Sequence, residues 1–189
     1  MTPLLRCARH AALPIGNRCR GRLDPAPGED PVVSADQLRL ALAAPTPAVV
    51  WTSPLRRCSA VAAQLAARIG AEIRCDPRLL EMDFGEWEGR SWEEIERQDR
   101  IAYHDWLAAW REVAPPRGES LGALEGRVRS WVEERARAGD IASSVLIGHA
   151  GVIRALRVIG AGACWEDALA QPVPHLDWLS IPMAGAGRP

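Results

Sequence analysis

The sequence contains no lysine: every one of its 23 Lys-or-Arg side chains is arginine. No lysine base, Schiff base or ammonium clamp is available, so any anion site must be built from guanidinium groups, which stay charged at any working pH. There is no block of like charge, and the net charge is -1. A nucleic-acid surface or an anionic-membrane surface is therefore not expected. Cys7, Cys19, Cys58, Cys75 and Cys164 are odd in number, widely spaced and free of any Cys-x-x-Cys. A disulfide framework or a thiolate zinc site is not expected on that pattern, and buried free thiols in a reducing cytoplasm are expected. No run of about eighteen apolar residues exists, so no transmembrane helix is expected. Arg6 and Arg9 interrupt the first apolar stretch, and no signal-peptide pattern follows. Histidine is scarce: only His10, His104, His149 and His175.

What is present is an ordinary globular composition, 48% apolar and 25% charged over 189 residues, which fits one domain with a full core. A short apolar run from Leu4 stops at Arg9-His10 and gives way to a loop rich in Gly, Pro and Arg. Ser34 and Gln37 read as a capping box opening a helix that Pro45 ends. Ala48–Trp51 reads as a buried strand broken by Thr52-Ser53-Pro54. A helix follows with Cys58, Val61, Ala62, Leu65 and Ile69 on one face and Gly70 as its stop. Glu72–Arg74 reads as an edge strand. Trp87, Trp92, Tyr103, Trp106 and Trp110 crowd one stretch, read as the small core of a mostly helical insertion, about 82–117, over the sheet edge. Ser91 and Glu94 make a second capping box within it. Gly118-Glu119-Ser120 then opens a long helix burying Leu121, Leu124, Val128, Trp131 and Val132. Ser144–Ile147 is a buried strand ending at Gly148-His149, with a helix from Gly151, and a last strand covers Trp178–Ile181. Alternating strands and helices predict an α/β fold: a three-layer αβα sandwich around a mainly parallel sheet.

Two strands end in a histidine, His10 and His149, and a third ends in Ser53-Pro54-Leu55-Arg56-Arg57. In a parallel sheet these ends share the edge where ligands bind. Arginines there can grip phosphate oxygens in pairs, helix N-termini after Ser53 and Gly148 can add backbone donors, and a neutral imidazole is a competent nucleophile. Glu81 is the best-placed candidate acid for the leaving oxygen. A zinc site would need a third ligand in a recognisable pattern, and none is seen.

These residues resemble the histidine phosphatase superfamily, which includes phosphoglycerate mutases and alpha-ribazole phosphatases. Arg9-His10 is similar to the family's opening Arg-His. Ser53-Pro54-Leu55-Arg56-Arg57 is similar to Ser-Pro-Leu-x-Arg. The run from Leu79 to Gly89 resembles Leu-x-Glu-x-x-Phe-Gly-x-Trp-Glu-Gly. Gly148-His149-Ala150-Gly151-Val152-Ile153-Arg154 resembles Gly-His-x-Gly-x-Ile-Arg, and Gly118-Glu119-Ser120 adds a Gly-Glu-Ser. The resemblance implies His10 as the nucleophile that becomes a phosphohistidine. It implies Arg9, Arg57 and His149 as the groups that hold the phosphoryl oxygens, and Glu81 as general acid. No cofactor and no metal are implied. The implied activity is a phosphomonoester hydrolase on a small phosphorylated metabolite, with alpha-ribazole 5'-phosphate a candidate. The alternatives are a mutase, a phosphohistidine-protein phosphatase or a non-catalytic phosphate-binding protein. A homodimer is left open.

The chain departs from the pattern in places. Ala11 stands where glycine is common, and Val61 where threonine is common. The stretch from Gly16 to Asp24 resembles the Gly-x-Cys-Tyr-Gly-Arg-x-Asp loop of alpha-ribazole-phosphatase-like members, but Arg20 replaces the tyrosine, which points to a more anionic substrate. The Ala11-to-Asp24 loop is assigned to substrate choice. His104 and His175 read as structural histidines without a role at the site.

Overall fold

Short β-branched and apolar runs build the frame. The computed structural model describes residues 2–14 and 16–184. Its strands are β1 (Leu4–Arg9), β2 (Val49–Thr52), β3 (Glu72–Cys75), β4 (Ser144–Gly148) and β5 (Trp178–Pro182). They form one sheet in the order β3-β2-β4-β1-β5. The pairs β1–β4, β2–β4 and β2–β3 are parallel, and only β5 runs antiparallel, against β1. Side chains alternate between faces along a strand. Leu5, Cys7, Val49, Trp51 and Leu146 turn to one face, and Ala8, Val50, Val145 and Ile147 to the other. The first set packs under α5 (Leu121–Ala138) and α6 (Ala150–Ala161), the second under α1 (Pro31–Leu40) and α2 (Arg56–Ile69). The architecture is the expected αβα sandwich.

Most boundaries expected from pattern are within a residue or two of those observed. The first helix is the exception. It begins at Pro31, and Asp30 caps it by accepting the Val32 N–H at 2.8 Å. Proline at the first helical position needs no hydrogen-bond partner, so the Asp-Pro pair outcompetes Ser34 as the start. Ser34 is buried one turn in and donates to Glu29. A short helix, α7 (Trp165–Ala170), carries no signal in the sequence pattern; six residues are too few to show a period.

The insertion over the sheet edge holds a turn at Gly85–Trp87 followed by α3 (Trp92–Gln98) and α4 (Arg100–Ala108). The Ser91–Glu94 capping box forms in both directions. Trp87 is fully buried; Tyr103 and Trp106 meet its ring, and Phe84 and Trp92 join the cluster through Trp106, with neighbouring centroids 5.6 to 6.3 Å apart. Trp110, expected in this cluster, leaves it and packs edge-on against Trp165 at 6.3 Å. Among the described residues no helix is long and apolar enough to cross a membrane.

Candidate active site

The register of the sheet brings the two strand-end histidines together. Arg9 of β1 lies opposite Gly148 of β4, and the His10 N–H donates to the Gly148 carbonyl at 3.1 Å. The next residue on each strand is therefore His10 and His149, whose rings meet edge to face with centroids 5.3 Å apart. His10 is 5% exposed. Its Nδ1 lies 2.6 Å from the Ala11 carbonyl oxygen. A carbonyl only accepts, so Nδ1 carries the proton and Nε2 keeps a free lone pair. Burial pushes the His10 pKa down to about 3, and the nearby Arg57 and Arg9 charges add to that. The ring is neutral throughout the physiological range.

His149 is wholly buried behind His10, not on the pocket wall. Its Nε2 is 2.8 Å from the Ser53 hydroxyl, and the Cys58 sulfur lies 3.5 Å away. Burial holds its pKa well below the ordinary histidine value. The expected contact between His149 and a phosphoryl oxygen therefore meets a ring already engaged with Ser53.

A pocket of about 430 Å³ opens in front of His10. Arg9, Arg18, Arg20, Arg57 and Arg154 line it; Arg18 pairs with Glu94 at 3.9 Å, the other four have no ion-pair partner among the described residues, and the one acidic side chain on its wall is Glu81. Four unpaired guanidiniums against one carboxyl make a site for anions. Arg57 is 3% exposed, and its two terminal nitrogens donate to the Leu23 and Gly21 carbonyls at 2.6 and 2.7 Å. Arg9 donates to the Val173 carbonyl at 3.1 Å. The Nε atoms of both are buried without a partner. Carbonyls orient these side chains without neutralising them, which keeps the positive charge available for a ligand.

Glu81 sits at the N-terminus of α6. Its two oxygens accept the Gly151 N–H at 3.2 Å and its neighbour's, Met82, at 3.1 Å. The Arg56 N–H opening α2 donates to Asp24 at 2.8 Å. The two helix starts expected to offer free donors to a phosphate are thus already met by carboxylates.

His175 belongs to the site, contrary to its reading as a structural residue. Its Nδ1 donates to the His10 carbonyl at 2.5 Å, its ring lies 5.5 Å from that of His10, and it lines the pocket. The signal was in the topology. β5 runs antiparallel to β1, so the segment entering β5 must lie at the end where β1 finishes. Leu176 adopts φ 51° and donates its N–H to the Arg9 carbonyl, locking that approach. His104 is exposed and touches only the Tyr103 ring among aromatic neighbours. Among the described residues no three His, Cys, Asp or Glu side chains come together as metal ligands.

A parallel sheet whose carboxyl edge carries touching neutral histidines among unpaired arginines defines an α/β protein with an anion site built around imidazole. The chain belongs to the histidine phosphatase superfamily: the description of branch 1 matches residues 5–178. It is similar to phosphoserine phosphatase 1 of Hydrogenobacter thermophilus, 29% identical over 153 residues, 81% of this chain and 72% of the relative. It is also similar to glucosyl-3-phosphoglycerate phosphatase of Mycobacterium tuberculosis, 31% identical over 153 residues, 75% of this chain and 67% of the relative. The fold matches that of the alpha-ribazole phosphatase from Shigella flexneri with a TM-score of 0.81 at 22% identity, over 94% of this chain and 89% of the other. The chain spans 49% to 60% of the length of several further curated relatives.

Proposed function

We propose that this chain is a phosphomonoesterase that works through a phosphohistidine at His10. His10 Nε2 attacks phosphorus in line and the bond to the substrate's alcohol oxygen breaks. That oxygen takes the proton of the Glu81 carboxyl group and leaves as the alcohol. Water then attacks the phosphohistidine, gives its proton to Glu81, and releases inorganic phosphate and neutral His10. Arg9 and Arg57 hold the equatorial oxygens, where charge stabilisation supplies most of the catalysis of phosphoryl transfer. His149, paired with Ser53, is a positioning residue that fixes the His10 ring edge-on. His175 fixes the His10 backbone from the other side.

The observation that carries this reading is the His10 Nδ1 contact with the Ala11 carbonyl, which leaves Nε2 unprotonated on a ring that lines a pocket with four unpaired arginines. The relatives named above are phosphatases of small phosphorylated metabolites by their names, which supports the same reaction class. Alpha-ribazole 5'-phosphate stays among the candidate substrates on the likeness of fold and of the loop around Cys19. The test is hydrolysis of p-nitrophenyl phosphate by the wild type and by His10→Ala. Loss of turnover by about 10⁴-fold or more in a folded variant is expected for removal of a covalent nucleophile; normal turnover in that variant would refute the mechanism.

A further inference from the structure

Two of the pocket's unpaired arginines exceed what one phosphoryl group requires. Arg9 and Arg57 flank His10 and serve the scissile phosphate. Arg154 and Arg20 line the same pocket. Arg154 is half-buried, makes no hydrogen bond or ion pair among the described residues, and has a buried Nε with no partner. It stands three and four residues after Gly151 and Ala150 on α6, and both of these also line the pocket. That spacing puts all three on one helix face, with Arg154 about 6 Å further along the axis than Ala150. Arg20, on the loop after β1, is oriented by the Gly16 and Arg18 carbonyls, at 2.5 and 3.3 Å. Both charges are felt at Arg9, so the two side chains and the phosphoryl site form one electrostatic unit. A buried guanidinium N–H left without an acceptor is costly in a folded protein, and a ligand's anion removes that cost.

We propose that Arg154 and Arg20 form a second anion subsite in this pocket, so that the preferred substrate is a phosphomonoester carrying a second acidic group. This rests on the phosphatase reading above for its reaction but not for its binding. The second group is a carboxylate or another phosphate, on a skeleton that separates it by several ångströms from the scissile phosphate. Trp110 and Trp165 form the apolar wall beside α6 and suit a flat or carbon-rich skeleton between the two.

The experiment compares matched pairs. Hydrolysis is measured with phenyl phosphate, 4-carboxyphenyl phosphate and 1,4-phenylene bisphosphate. Binding is measured by calorimetry with the non-hydrolysable phenylphosphonate and 4-carboxyphenylphosphonate. The wild type should favour the doubly acidic member of each pair by about tenfold, the scale of one charge-assisted pair at a half-buried site. In Arg154→Gln that ratio should fall towards one, and Arg154→Lys should restore part of it. Preference for the carboxylate over the bisphosphate identifies the second group, and the reverse order identifies a phosphate. A wild type that hydrolyses all three equally, or a preference unchanged in Arg154→Gln and Arg20→Gln, overturns the subsite. A binding preference without any hydrolysis leaves the subsite standing and refutes the phosphatase reading instead.

Discussion

At the scale of single residues, the site depends on one glycine. A Cβ on Gly151 would lie 2.2 Å from a Glu81 carboxylate oxygen. The atom in the way is the end of a flexible side chain, so Gly151→Ala should fold, but Glu81 must swing away from the place where it meets the leaving oxygen. General acid catalysis contributes about 10²- to 10⁴-fold, and most when the leaving group is poor. Gly151→Ala is therefore expected to slow an alkyl phosphate by about 10²-fold and p-nitrophenyl phosphate, whose phenolate needs little help, by less than tenfold. Steady-state kinetics on the two substrates give the comparison. Equal losses on both would remove Glu81 from the acid's role. The family resemblance marks both residues, but this dependence is not legible in the sequence, because nothing in a strand-and-helix pattern says that the carboxylate rests on that helix start.

At the scale of elements, several motif residues turn out to build the pocket's frame. Glu88 accepts the Arg22 and Leu23 N–H groups at 2.6 and 2.5 Å and the Phe84 N–H at 3.2 Å. It thereby ties the loop after β1 to the aromatic insertion. That loop supplies the Gly21 and Leu23 carbonyls that aim Arg57. Glu119 does the same one segment on, accepting the Asp83 N–H and pairing with Arg127 at 2.6 Å. The sequence made the strands and the three strand-end motifs readable, because buried runs such as Ser144–Gly148 and cap signals such as Ser91–Glu94 are local. It did not reveal His175. That residue reaches the site only through the antiparallel pairing of β5, a choice made by packing across 170 residues of chain separation on the order of the whole domain. Nor did it show the carboxylates already seated at the starts of α2 and α6, since these contacts join segments far apart in sequence.

At the scale of the whole molecule, folding gathers positive charge and neutral imidazole at one edge of a chain whose net charge is only -1. That arrangement has a consequence for stability. His10 is held at about 3 in the fold against an ordinary value near 6.5, and His149 and His175 are lowered in the same direction by burial. Between those two values the unfolded chain binds more protons than the folded one, so stability rises with pH through that window and is lost as pH falls below about 6.5. Each pH unit costs at most about 1.4 kcal/mol per such histidine. Urea unfolding at pH 7.5 and pH 5 should show lower stability at pH 5, with a smaller loss in His10→Gln. An equal loss in that variant would mean that other groups set the dependence.

The central claim is that His10 carries the phosphoryl group. Mixing enzyme with ³²P-labelled phenyl phosphate, quenching within milliseconds and digesting should yield a labelled peptide containing His10, its phosphate stable in base and released by acid. Label absent from that peptide during active turnover, or found on a residue other than His10, would contradict the account.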